Sequence, residues 1–163
     1  MSCLGGLSAI QKKELDKMRV LSQEGKIVPY LEEMEQVYSC ELWQAWDAIH
    51  RALTNGKLEY GSANAPGCWV ILGGELLYGN CPEESDHIIT CKSPDQVQQV
   101  AQFLQTLTEE KFRELYFAID PAEYGMTPDE DDFGFTWGYL EDSIEFWQNA
   151  AQKKLWVIFD ASQ

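Results

Sequence analysis

Two histidines, five cysteines and twenty-seven carboxylates are the groups in this 163-residue chain with chemistry to offer. His50 and His87 stand apart from each other and from any CxxC pair, so no spacing announces a zinc site, and neither a metal nor a cofactor is expected. His50 follows Trp46 by four residues on one side of an expected helix. It therefore reads first as a histidine at the edge of the core, satisfied by a hydrogen bond. The competing reading makes Trp46, His50 and Glu75 the wall of a pocket in a small hydrolase or ligand-binding protein, which requires the fold to bring them together. Gly73-Gly74-Glu75 lacks the GxGxxG pattern and a following Lys-Ser/Thr, so turn chemistry is favoured over a phosphate cradle. A Cys–His nucleophile has no local support. The five cysteines (Cys3, Cys40, Cys68, Cys81, Cys91) are odd in number and irregularly spaced, as structural thiols in a reducing compartment are.

The carboxylates are more informative. Net charge is −15, and between Thr106 and Glu145 twelve acids face only Lys111 and Arg113, so ten of the fifteen excess negative charges sit in forty residues. Phosphate backbones and anionic lipid heads are repelled by such a surface, which argues against nucleic-acid and membrane binding. Asp129-Glu130-Asp131-Asp132-Phe133-Gly134 resembles a calcium loop only briefly. Counted from Asp129, the positions that need an oxygen ligand and a bidentate Glu hold Phe133 and Leu140. Directly after the acids, Phe133, Phe135, Trp137 and Tyr139 alternate with small residues. Aromatic side chains beside a carboxylate cluster suit an interface that selects a basic partner; packing of the following helix onto the core is an equal alternative.

These groups must be positioned by a chain whose 45% hydrophobic content and six tryptophans befit a globular domain. Met1–Leu7 has no basic leader, and no run nears the ~18 apolar residues of a membrane span; the expected compartment is the cytoplasm. Cys3 to Ser8 reads as an N-terminal strand, and Ser8 with Gln11 as the capping box of a helix from Ala9 to Ser22. Tyr30, Leu31, Met34 and Val37 suggest a second helix. Leu42, Trp43, Trp46, Ile49 and Leu53, opened by Ser39 or Cys40 and closed by Asn55-Gly56, suggest a third. Lys57 to Asp86 is dominated by turn residues, with Cys68–Leu72 ambiguous between strand and a buried helical turn. His87–Cys91 reads as a strand. Ser93-Pro94-Asp95-Gln96 is a strong helix start, Thr108 another, and Asp120-Pro121 a stop. The Thr127–Asp129 region reads as a loop, Leu140, Ile144, Trp147 and Ala151 as a last helix, and Leu155–Phe159 as a strand apolar on both faces and so central. The expectation is one helix-rich α+β domain over residues 1–163, with about six helices around a small sheet that contains both terminal strands.

Leu42–Thr54, Val70–Glu75 and the helix from Ser93 to Leu104 together resemble the YfbM-like family of uncharacterised bacterial proteins. The order of parts is similar over nearly the whole chain: an N-terminal strand, an Ala-Trp-x-Ala-Ile-His helix ending in Leu-Thr-x-Gly, a Leu-Gly-Gly segment, paired helices, an acidic loop with aromatics, and an apolar strand. Ser2, where the family often has Gly, and the longer Lys57–Tyr60 region depart from it. The resemblance implies a helical Cys68–Leu72 and no established activity. Function therefore rests on the residues. The favoured expectation is a non-enzymatic domain that captures a basic protein through Asp129, Glu130, Asp131, Asp132, Phe133, Phe135, Trp137 and Tyr139, an immunity-type toxin inhibitor being one form of it. The alternative is the pocket of Trp46, His50, Gly73, Gly74 and Glu75.

Overall fold

A computed structural model of the chain describes residues 4–61 and 63–163; Met1–Cys3, with the Cys3 thiol, the Ser2 departure and the start of the expected first strand, lies outside them. Strands β1 (Leu4–Ile10), β2 (Tyr38–Trp43), β3 (Glu75–Tyr78), β4 (His87–Lys92) and β5 (Trp156–Ser162) form one antiparallel sheet in the order β2-β1-β5-β4-β3. Among the described residues seven helices accompany them: α1 (Lys12–Gln23), α2 (Ile27–Tyr30), α3 (Ala45–Leu53), α4 (Pro94–Thr106), α5 (Glu109–Phe117), α6 (Pro121–Tyr124) and α7 (Glu130–Gln152). The fold is α+β, the N- and C-terminal strands pair with each other, and β5 is central.

Strand β5 holds that place because its side chains suit burial on both sides. Val157, Phe159 and Ala161 enter a large core with α3, α4, α5 and α7, while Ile158 joins Ile10, Leu15, Met18, Ile27, Leu77, Ile89 and Cys91 in a smaller one beneath α1 and α2. Alternation divides the other strands in the same way, since successive side chains point to opposite faces. Two helix starts are as expected. Ser93 Oγ accepts from the Gln96 N–H and Gln96 Oε1 accepts from the Ser93 N–H, a reciprocal capping box. Thr108 caps α5 by accepting from the Lys111 N–H at 3.1 Å.

Several elements differ from expectation for identifiable reasons. Ala9 and Ile10 continue β1, and Ser8 caps nothing: its hydroxyl donates to Gln36 Oε1 at 2.8 Å, and α1 begins after Gln11 with no side-chain cap. The segment after Tyr30 forms turns, leaving α2 only four residues long. Ser39–Leu53 is not one helix. Tyr38, Cys40 and Leu42 alternate toward the large core as β2, Trp43 turns the chain with φ of 51° and stays about half exposed, and the helix starts only at Ala45. Inside the expected loop, Glu75–Tyr78 is an edge strand on β4, and residues 67–69 make a single 3-10 turn. Thr127–Asp129 lies outside any helix, as expected, but Glu130–Tyr139, with its acids and alternating aromatics, is already the first part of α7.

The sheet and α3 meet at Gly5. A Cβ there would lie 2.6 Å from Cδ1 of Trp46, whose fully buried ring also packs on Phe159 at 5.5 Å. Gly5→Ala is expected to lower stability by about 1–3 kcal/mol through overpacking. Gly6→Ala, with nothing within 3.6 Å of the new carbon, should change it by less than about 0.5 kcal/mol. Urea unfolding of the two variants checks the contrast.

Candidate functional site

The acidic and aromatic residues expected to meet a partner lie on the first turns of α7. Asp129 is the N-cap, accepting from the Asp132 N–H at 2.8 Å, and Glu130, Asp131 and Asp132 place negative charge where the helix dipole is positive. In a helix the spacing of two that looked like one cluster splits in half. Phe133 and Trp137, four apart, face the core and pack on Phe112 at 6.2 and 5.6 Å. Phe135 and Tyr139 are also four apart; Phe135 is exposed and meets the Tyr139 ring edge to face at 5.0 Å, while Tyr139 itself is half-buried against the edge of the large core.

The acids divide as well. Asp132 accepts from two phenols, Tyr116 at 2.5 Å and Tyr124 at 2.7 Å, and burial together with that carboxylate pushes both phenols well above their ordinary value. Glu130 pairs with Arg113 at 2.5 Å, whose guanidinium lies over the Phe133 ring at 4.3 Å. Asp131 alone among the four has no side-chain hydrogen bond or ion pair among the described residues, and with Phe135, Tyr139 and Asp142 it follows one side of α7 at spacings of four, four and three. Across its 23 residues α7 carries six carboxylates and no lysine or arginine.

The second group does not converge. Trp46 and His50 lie on the large-core side of the sheet; Glu75 lies on the other, where both its oxygens accept from Arg19 of α1 at 3.0 and 2.7 Å. Gly73 and Gly74 serve close backbone approach. A Cβ on Gly73 would lie 2.6 Å from the Cys68 carbonyl oxygen, and on Gly74, with φ of 114°, 2.2 Å from that of Cys91. His50 is buried with both nitrogens addressed: Nε2–H donates to the Glu59 carbonyl at 3.1 Å and Nδ1 faces the Leu72 N–H at 3.5 Å. Loss of hydration pushes it down from 6.5 to about 4, so it is neutral at physiological pH. The cavity beside it, which Thr54, Tyr60 and Cys68 also line, measures about 20 Å³, room for roughly one water.

Lys92 was not anticipated. It is wholly buried, and its amine donates to the Ile71 carbonyl and to Thr90 Oγ1, the latter at 2.7 Å, above the Phe159 ring. Burial pushes this amine down to about 7. The sequence held one signal: Ile88, Thr90 and Lys92 alternate toward the same core. Among the described residues no group of three or more His, Cys, Asp or Glu is arranged to hold a metal ion, and no helix is long and apolar enough to cross a membrane. Cys40, Cys68, Cys81 and Cys91 are unpaired.

A family model described as a domain of unknown function, DUF1877, matches residues 1–160. In fold the chain is similar to the crystal structure of YfbM from Escherichia coli, a protein of unknown function, with a TM-score of 0.70 at 14% identity, over 97% of this chain and 99% of that one. The likeness bears out the resemblance noted in Leu42–Thr54, Val70–Glu75 and Ser93–Leu104. No curated protein matches.

Two pH effects follow from the buried bases. As pH falls from 6.5, unfolded chains protonate at His50 before folded ones do, so stability falls by about 3 kcal/mol between pH 6.5 and 4. Unfolded chains likewise hold the Lys92 proton up to its ordinary 10.5 while folded chains release it near 7, so stability rises above pH 7 until the thiols, with Cys91 raised from 9 to about 12, oppose it above pH 9. Lys92→Met leaves the Ile71 carbonyl its Thr90 hydroxyl partner at 3.3 Å. Urea titrations from pH 5 to 9 should show this variant gaining more over the parent at pH 6 than at pH 9.

Proposed function

This chain belongs to the DUF1877 family, whose task is unknown, and from that premise we propose that it is a non-catalytic domain, acting in the cytoplasm as one unit over residues 1–163, that captures a basic protein partner. The observation that carries the proposal is the outward face of α7. Phe135 is 43% exposed and paired edge to face with Tyr139, Asp131 and Asp142 flank them, and the helix holds no basic residue. Aromatic anchors supply contact area at small conformational cost, and uncompensated carboxylates around them favour a cationic partner and speed its approach. The buried half of the original cluster serves this face indirectly: Phe133 and Trp137 fix the helix, and Asp129 and Asp132 fix its first turn. In its narrowest form the partner is a toxin of the same or a rival bacterium and the chain its immunity-type inhibitor.

The reading of Trp46, His50 and Glu75 as a hydrolase or ligand pocket is not favoured, because Glu75 lies across the sheet and the space beside His50 admits about one water.

Affinity capture from cells of the source bacterium tests the proposal. The parent chain is expected to retain a basic protein at low salt and release most of it at high salt, with Asp131→Lys and Phe135→Ala each weakening the purified pair at least about tenfold. Phe135→Ala leaves the denaturation midpoint unchanged, and Asp131→Lys, which reverses a charge at the helix N-terminus, lowers stability by no more than about 1–2 kcal/mol. A partner indifferent to salt and to both substitutions, or no partner at all, rejects it. For the inhibitor form, co-expression with the captured protein should restore growth that the captured protein alone arrests.

A further inference from the structure

On the side of the sheet away from α7, helices α1 and α2 cover only part of the surface. Alternation places Ile10, Ile158, Ile89 and Leu77 under the helices. By the same alternation, Gly6 and Ser8 of β1, Glu41 of β2, His87 of β4 and Asp160 of β5 share that face. The register sets Gly6 directly between Glu41 and Asp160, so the two carboxylates flank a trough with no side chain at its centre. Val28, Pro29, Leu31 and Met34 overhang this floor and convert it into a cleft of about 610 Å³. A second hollow of about 220 Å³ shares Ser8, Gln36, Glu41 and Asp160 with it.

The chemistry of this cleft is one-sided. Glu32, Glu41 and Asp160 line it, no lysine or arginine does, and neither Glu32 nor Glu41 has an ion-pair partner among the described residues. The Ser8 hydroxyl is spent on Gln36. His87 Nε2 is shielded from solvent without a hydrogen-bond partner and stands 3.9 Å from Asp160 Oδ2, beyond hydrogen-bond reach. Buried polar atoms in folded proteins ordinarily find partners. An ordinary solvated sheet face would present cross-strand pairs of opposite charge. Here the floor offers acceptors, the overhang offers apolar surface, and the volume lies in the range of sites for small organic molecules.

We propose that this cleft binds an organic cation, an ammonium or guanidinium group on an apolar stem, with Glu41 and Asp160 holding the charge and Val28, Pro29, Leu31 and Met34 enclosing the stem. The site is separate from the α7 face and independent of the partner proposed for it. Ion pairing at a partly enclosed pair of carboxylates supplies selectivity for charge, and the flexible Met34 adapts the wall to stems of different shape.

Calorimetry with cadaverine, agmatine and phenethylamine, beside 1,5-pentanediol as the uncharged match and glutarate as the anion, tests this on the full chain. At least one amine is expected to bind, with the diol at least about tenfold weaker and glutarate not binding. Glu41→Gln with Asp160→Asn should weaken the amine at least about tenfold. Gly6→Val, which fills the trough while leaving both carboxylates in the sequence, should weaken it as well, and Asp131→Lys on α7 should leave it unchanged. Tighter binding of cadaverine than of N-acetyl-lysine methylamide would mark a free amine as the occupant, and the reverse a lysine side chain. Thermal unfolding confirms that each variant is folded. Failure of all three amines to bind, equal binding of the diol, or indifference to the paired substitution overturns the proposal.

Discussion

Strand β5 pairs along both edges and buries side chains on both faces, and this double enclosure decides where the rest of the chain can go. Its ladders with β1 and β4 leave no room for a helix within the sheet. The two apolar faces then demand separate covers, and these differ in size: α3, α4, α5 and α7 over Val157, Phe159 and Ala161, and the short α1–α2 pair over Ile158. Gly5 is part of the same arrangement, because only a residue without a side chain lets Trp46 lie against Phe159. The inequality of the two covers leaves part of one face open, and the cleft of Glu41 and Asp160 occupies that opening.

Legibility in the sequence followed how local the determining interaction was. The starts at Ser93 and Thr108 were readable because a cap is a contact within four residues. The burial of β5 was readable from its composition. Strand β2 was not, since Leu42, Trp43 and Trp46 fit a helical period while Tyr38, Cys40 and Leu42 fit a strand, and the partner that decides between them is β1, some thirty residues away. The start of α7 was obscured by Gly134 and Gly138, both poor helix formers, and by aromatics at alternate positions. A cap at Asp129 followed by three acids, with Phe133, Trp137, Leu140 and Trp147 at helical spacing, was the signal that pointed the other way.

The candidate sites show the same division. Asp131, Phe135 and Tyr139 were within reach of a linear reading because they share one helix. Lys92 was half visible, in the parity of a single strand. Glu41, His87 and Asp160 come from three strands dispersed over the chain, and Gly6 between two of them carries no functional group at all. Only the register brings them together, and register is a property of pairing that no single segment contains.

The central position of β5 also matters for how the protein is made. Trp156–Ser162 follows the other four strands of the sheet, so a ribosome delivers β1 with β2, and β3 with β4, as two hairpin-like ribbons before it delivers the strand that joins them. Until those seven residues emerge, β1 and β4 each present an unpaired edge, and the large core lacks Phe159 as a seat for Trp46. Unpaired edges beside exposed apolar surface are what aggregation exploits. Before β5 has emerged, the nascent chain thus exposes two strand edges and an unfilled core to its neighbours.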